Sequence, residues 1–296
     1  MSTHLGFVSL SARHSWADKA HIPGLYLLKI NSYKITAIVN STLEAEKASK
    51  EKNSLQDAQV FESIQDLLSE GKTNTVVGVI CEWSLGNGLQ EAEKLAILAK
   101  AKNAKANVVL QARKAPPIIE AKKSINSGAI GKIISTNFLG CTNYWSQFFY
   151  ENFLEYAKSI NAGINLLTVP VGLDLDAFAF VLGEFKFLNA MVKTQFKDMD
   201  VVGTDNDEKN VSVKIFRLDD NENTLPIEDL STEYDPVAGN LKRFYQNYAK
   251  AKNSEHLQPQ LNNFDVFTAF EAAVIRHRQI EAILKSSKSG KRETCI

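Results

Sequence analysis

Residues 76–86 read VVGVICEWSLG. An apolar run without a charge fits a strand buried on both faces. Glu82, Trp83 and Ser84 then end the run with a carboxylate, an indole and a hydroxyl at its carboxyl end. What flanks this stretch decides the fold. Upstream, LGFVSL (5–10), YKITAIV (33–39) and AQVF (58–61) are further short strands; the quoted stretch itself supplies the strand TVVGVIC (75–81). Helical segments lie between them: WADKAHIPGLYLL, interrupted at Pro23; STLEAEKASKEKNS (41–54), with Ser41 as its N-cap; and ESIQDLLSEG (62–71), closed by a glycine. Downstream, LQEAEKLAILAKAKNA (89–104) has helical spacing and NVVLQA (107–112) is again a strand. Strands alternating with helices predict an α/β unit over residues 1–115, a Rossmann-like doubly wound parallel sheet of the dinucleotide-binding kind.

Residues 116–296 read differently and predict a reduced α+β second domain. PPIIEAKKSINSGAIG (116–131) is a helix ending at glycine, and KIISTNFLG (132–140) a strand. GINLLTVPVGLDLDAFAFVLG (163–183) is a buried helix whose Pro170 favours a kink or a late start. FLNAMVKTQF (187–196) and NVSVKIFRL (210–218) are strands, separated and followed by acidic loops. VAGNLKRFYQNYAKA and FTAFEAAVIRHRQIEAILKSSKSGKR close the chain as helices, the final KSSKSGKR being a solvated tail. No repeat or low-complexity segment interrupts the pattern.

Composition narrows the function. The chain has 296 residues, 34 Lys plus Arg and 34 Asp plus Glu. A formal net charge of zero gives no general attraction to nucleic acid or anionic lipid, so no direct nucleic-acid binding is expected. Cys81, Cys141 and Cys295 are too few and too scattered for a disulfide framework or a CxxC metal site. The start, MSTHLGFVSL, lacks the pattern of a secretory leader, and no apolar run nears the roughly 20 residues a membrane span needs. The terminal TCI sets its cysteine one place too late for prenylation. The expected compartment is the cytoplasm or nucleus.

LQARKAPPIIEAKKSINSGAIGKIISTNF resembles the passage joining the two domains in glucose–fructose oxidoreductase/inositol dehydrogenase/MocA-type proteins, with Arg113, Pro116, Gly128, Ile130 and Gly131 on its pattern. AAVIRHRQIEAILKSSKSGKR resembles that family's last helix. GFVSLSARHSWADKAHIPGL and EWSL are similar to the branch represented by the galactose-regulon repressors of budding yeasts, which does not act as an enzyme. The resemblance covers most of residues 5–200 and 237–292. The chain departs from it twice. TVVGVI runs directly into CEWSL, as if one crossover were missing, and residues 197–236 are too few for the family's large second-domain sheet.

The resemblance implies a dinucleotide site with altered chemistry. The first turn of such a fold wants glycines for close approach to pyrophosphate. Here it holds Ser9, Leu10, Ser11 and His14, whose serines are small and can still bond phosphate oxygens. The second strand ends at Asn40 and Ser41, with no carboxylate for a ribose hydroxyl, so NAD or NADP is expected without strict NAD preference. Otherwise this turn is simply a strand-to-helix connection. Glu82 and Trp83 occupy the turn where the enzymes carry Glu-Lys; Trp83 stacks on a nicotinamide, walls off the pocket, or packs between the domains. In the helix holding the enzymes' Asp, His and second Asp, the matching positions are Val169, Leu173 and Asp176. Asp174 enters only with a register shift. Asp176 alone reads as a structural acid. Arg113 with Lys114 either contacts phosphate or pairs with an acid at the domain joint. The aromatic stretch YWSQFFYENF (144–153) reads as core or subunit interface.

Leu and Val accept no proton, so hydride transfer from a carbinol lacks its base. The first expectation is a non-catalytic, NAD(P)-binding-type transcriptional regulator. It binds the acidic activation segment of a transcription activator as an amphipathic element in the interdomain cleft, and works as a homodimer. The alternative is an NAD(P)-dependent sugar or polyol oxidoreductase using other residues. A third reading is a degenerate chain that folds only as a dimer or not at all, because a lost central strand leaves sheet groups to be re-paired.

Overall fold

In the computed structural model the described residues are 3–8, 10, 16–26, 28, 33–39, 43–61, 79–101, 106–140, 148–150, 163–194, 200–202, 216–218, 224–226, 236–252 and 268–295. The first unit has the predicted parallel pairing. Strand β1 (Thr3–Val8) lies beside β2 (Tyr33–Val39), and β2 beside β3 (Gln59–Phe61). Strand β4 (Val79–Glu82) lies beside β5 (Ala106–Val109). Helices α1 (Ile22–Tyr26), α2 (Leu43–Lys52) and α3 (Leu89–Ala101) connect them. Pro23 does not interrupt its helix. A wide turn, Ala17–His21, precedes α1, and Ile22 N–H bonds Ala17 O, so the hydrogen-bond register shifts just before the residue that has no donor.

The chain leaves β5 earlier than expected, through a tight turn at Gln111–Lys114, and enters α4 (Pro116–Asn126) with proline at its start. A wide turn over Leu167–Val171 holds Pro170, and α5 (Gly172–Leu182) begins only after it, the late start the proline favours. Two long helices follow, α6 (Pro236–Lys252) and α7 (Phe270–Ser289). The remaining described strands form two-stranded pairs: β6 (Phe148–Tyr150) with β8 (Asp200–Val202), β7 (Phe187–Leu188) with β11 (Glu293–Thr294), and β9 (Phe216–Leu218) with β10 (Thr224–Pro226).

Both faces of the first unit are covered, as a doubly wound sheet requires. Val108 and Val109 are neighbours in β5, both fully buried, and point to opposite sides. Val108 packs with Trp83, Leu85, Ala92, Ala96, Phe270 and Ala273, between α3 and α7. Val109 packs with Ala20, Leu28, Leu241, Phe244 and Tyr245, between α1 and α6. In α7 the buried Phe270, Ala273, Val274, His277 and Ile280 follow helical spacing, and Ala92 and Ala96 of α3 are small enough for close approach. A Cβ on Gly24 would stand 2.9 Å from Leu241 Cβ, so glycine lets α1 meet α6. The boundary expected after residue 115 falls between the tight turn and α4. Helices α6 and α7, from beyond it, complete the packing of the first unit.

Three expectations are corrected. Residues 132–140 form no strand and are mostly exposed, Ile134 by 93% and Leu139 by 90%. Apolar alternation makes a strand only where a neighbour shares its hydrogen bonds, and among the described residues no strand lies alongside. Of the described residues 187–194 in the expected strand 187–196, only Phe187–Leu188 is a strand; Ala190 N–H and Val192 N–H bond the hydroxyls of Ser286 and Ser287 instead of a ladder. KSSKSGKR is mostly exposed, as expected, but is no tail. Ser286 is fully buried with its hydroxyl 2.7 Å from Lys291 O, helix α7 runs through Ser289, and β11 follows. The helix at 62–71, residues 75–78 and 210–215, and most of 144–153 lie outside the described residues.

Candidate functional site

The site is built at the carboxyl ends of β1 and β4, where open α/β sheets bind ligands. Glu82 closes β4, with its side chain 35% exposed. Its Oε1 accepts Trp16 Nε1–H at 3.0 Å and bonds His21 Nε2, while Oε2 accepts Trp83 N–H at 3.2 Å. His21 is buried, and its Nδ1 lies 2.7 Å from the Tyr245 hydroxyl. Burial first, then the nearby Glu82 and Tyr33, push the Tyr245 phenol far above its ordinary pKa. Trp16 stands 42% exposed at the rim.

Trp83 turns inward. Its indole N–H donates to Thr168 O at 2.8 Å, and its ring lies 4.9 Å from the His277 ring at a 34° tilt. A Cβ on Gly172 would stand 2.9 Å from the indole, so glycine at the start of α5 makes room for it. Asn165 Oδ1 accepts the N–H groups of Leu167 and Thr168 and thereby shapes the turn that presents the Thr168 carbonyl. His277 Nε2 bonds Leu85 O at 3.0 Å; burial lowers its pKa, partly offset by that bond. Of the readings open to Trp83, packing between the two halves is the one this geometry displays. Leu173 packs against the same core, and Val169 is half-buried.

Asp176 is fully buried and takes two short bonds from Arg113, Nε to Oδ2 and NH2 to Oδ1, each 2.6 Å. Arg276, itself 1% exposed, has Nε 3.4 Å from Asp176 Oδ1, donates to Gln279 Oε1 at 2.6 Å and pairs with Glu184. Two guanidinium groups thus face two carboxylates. Burial works against the charge on Arg113, but Asp176 prevails and raises its pKa. Asp174 faces elsewhere, into a groove of about 770 Å³ with Phe138, Phe178 and Asn240 on its walls, and burial raises its pKa.

The structure therefore leaves Glu82 at the lip, turns Trp83 into the core beside it, and commits Arg113 to the buried acid Asp176. Leu10 is fully buried among Phe7, Ile22 and Ile38, and its carbonyl accepts Ser49 Oγ at 2.6 Å. Ser9, Ser11, His14, Asn40 and Ser41 lie outside the described residues. Trp16, His21, Tyr245 and His277 are the site's additions to the sequence reading. His21 and Glu82 are 61 positions apart, and His21 and Tyr245 are 224 apart, so no local motif announces them. For a dinucleotide, the described residues fit in part: an exposed indole and a half-wet carboxylate stand at the carboxyl ends of parallel strands. Among the described residues no group of His, Cys, Asp and Glu is arranged to hold a metal, and no helix is long and apolar enough to cross a membrane.

Residues 116–220 match the family model of the Gal80p C-terminal domain. The dehydrogenase aclE of Aspergillus oryzae is 29% identical over 233 residues, 69% of this chain and 62% of that protein. The galactose/lactose metabolism regulatory protein GAL80 of Kluyveromyces lactis is 27% identical over 227 residues, 65% of this chain. That match spans 49% of the regulator, about half its length. In fold, a super-repressor mutant of Gal80p from Saccharomyces cerevisiae agrees with a TM-score of 0.82 at 21% identity, over 99% of this chain and 98% of that one. The WlbA dehydrogenase of Bordetella pertussis, in complex with NADH and UDP-GlcNAcA, agrees with a TM-score of 0.65 at 14% identity, over 99% of each chain. Sequence and fold thus agree on one resemblance: this chain is similar to the Gal80-type regulators, on the frame of glucose–fructose oxidoreductase/inositol dehydrogenase/MocA-type oxidoreductases.

Proposed function

We propose that this chain is a non-catalytic regulator of the Gal80 type. It holds NAD or NADP at the carboxyl end of its parallel sheet and binds the acidic activation segment of a transcription activator, acting as a homodimer in the cytoplasm or nucleus. The observation that carries this reading is Trp83. Where the enzymes carry a lysine, an indole spends its one donor on Thr168 O and packs on His277. Leu173 and Val169 supply no proton acceptor, and Asp176 is neutralised by Arg113 and Arg276. The bound dinucleotide would supply hydride chemistry only with a base beside the substrate carbinol. Here it serves as a ligand. Ser9, Ser11, His14, Asn40 and Ser41 line its phosphates and ribose. Leu10 is anchored in the core, Glu82 stands at the lip, Trp83 packs inward beside it, and Arg113 pairs with Asp176 rather than reaching a phosphate.

Calorimetric titration of a synthetic acidic-hydrophobic activation peptide, with and without NADP, tests this. Saturable binding that shifts with the nucleotide is the expected result. A flat titration in both conditions overturns activator binding.

A second reading, an NAD(P)-dependent sugar or polyol oxidoreductase, draws support from the 29% identity to aclE. Robust reduction of NAD(P) at 340 nm with a panel of sugars, lost in Asp174→Ala, would favour it.

A further inference from the structure

Three elements distant in sequence are strung on one chain of hydrogen bonds at the lip: α6 through Tyr245, the turn before α1 through His21, and β4 through Glu82. The direction of donation follows from chemistry. Tyr245 is buried and its raised pKa keeps its proton in place. Among the described residues its hydroxyl meets one hydrogen-bond partner, His21 Nδ1 at 2.7 Å. Glu82 Oε1 can only accept, so His21 Nε2 carries a hydrogen; in the neutral ring Nδ1 then carries the lone pair and accepts the Tyr245 hydroxyl. Nε2–H then donates to Glu82 Oε1. With Trp16 Nε1–H and Trp83 N–H, the carboxylate accepts three donors. A carboxylate held by several donors is fixed in direction.

The outermost donor is the indole of Trp16, 42% exposed, which has an aromatic face in solvent. Its polar edge is tied to Glu82: the Trp16 N–H has Glu82 Oε1 as its acceptor. Turning Glu82 therefore turns Trp16. Tyr33 provides an internal control. Its hydroxyl donates to the Tyr245 backbone carbonyl at 2.7 Å, so it braces the same stretch of α6 without entering the chain to His21.

We propose that Tyr245 and His21 are positioning residues of the cleft: by fixing the His21 tautomer they aim the Glu82 carboxylate, and through it the exposed indole of Trp16. Its consequence for dinucleotide affinity rests on the binding reading above; its geometric core does not. A change at α6, in the second half of the chain, is in this way felt at the rim of the first.

Nuclear magnetic resonance of the ¹⁵N-labelled full chain tests it. In the unaltered protein His21 shows the ring-nitrogen shifts of the Nε2–H tautomer, and the Trp16 indole signal, assigned with Trp16→Phe, lies at a hydrogen-bonded position. Tyr245→Phe mixes the His21 tautomers and moves the Trp16 signal towards a free indole. It also weakens NAD or NADP binding about 3- to 10-fold, the worth of one neutral hydrogen bond. Tyr33→Phe, which removes a bond to the same helix, leaves both signals in place. An Nδ1–H tautomer in the unaltered protein overturns the proposal without any variant, and so does a Trp16 signal that ignores Tyr245→Phe. If the unaltered protein binds neither nucleotide, the dinucleotide reading fails, and the His21 and Trp16 signals still decide the positioning role.

Discussion

Two acidic centres lie within this molecule, and they are held in opposite ways. Asp176 is fully buried and answered by two guanidinium groups, with Glu184 completing a set of two cations and two anions. Glu82 is 35% exposed and is held by donors that carry no fixed charge: an indole, an imidazole and a backbone amide. The first arrangement locks α5 to α7 and to the turn after β5, with Asp176 fully buried between the two cations. The second leaves an edge of carboxylate and an aromatic face at the surface. In a hydride-transferring enzyme the helix that carries Asp176 must also carry a titratable base near the substrate. Here that helix joins the two halves through Asp176, while its other carboxylate, Asp174, faces the groove lined by Phe138 and Phe178.

This contrast predicts unequal responses. Asp176→Ala leaves Arg113 and Arg276 buried without their shared partner. Loss of one member of a buried charge cluster costs about 3–5 kcal/mol, read as a lower urea midpoint. A change under 1 kcal/mol would show that the node is not what joins the halves. Gly172→Ala forces a Cβ to within 2.9 Å of the Trp83 indole. Overpacking of this kind costs about 1–3 kcal/mol, and a thermal melt measures it.

A smaller effect comes from His277. Burial lowers its pKa, so the folded protein takes up this proton less readily than the unfolded chain, whose histidine titrates near 6.5. Stability therefore falls as pH drops below about 6.5, with a slope of up to about 1.4 kcal/mol per pH unit from this group. His277→Gln flattens that acid limb in denaturant titrations at successive pH values. The smallest effect on stability belongs to the lip. Trp16→Ala removes an exposed side chain and shifts the melt by no more than about 0.5 kcal/mol. If Trp16→Ala unfolds the chain as readily as Asp176→Ala does, the two centres do not differ as described.

Legibility in the sequence followed the same divide. Strand β2 matches the run YKITAIV at both ends, because its aromatic and β-branched residues favour an extended backbone and its last three residues are buried. Pro170 fixed the late start of α5, since proline lacks the donor a helix interior needs. The sequence was ambiguous where two distant segments must choose each other. Arg113 was equally open to a phosphate or an acid, and it is Asp176, 63 positions away, that holds it. KSSKSGKR has the composition of a solvated tail, yet Ser286 is buried because residues 187–190 lie against it. Residues 132–140 have the alternation of a strand without a described neighbour to pair with. Local periodicity reports how a segment would fold if partnered and is silent on which partner comes.

The central claim is that this pocket can hold a dinucleotide but cannot transfer hydride. The most direct test mixes stoichiometric protein with NADP or NAD and a panel of sugars and polyols, and follows absorbance at 340 nm through single turnover. Saturable nucleotide binding with no reduced nicotinamide is the predicted result. Reduced nicotinamide appearing at one equivalent per site, with any member of the panel, would contradict it.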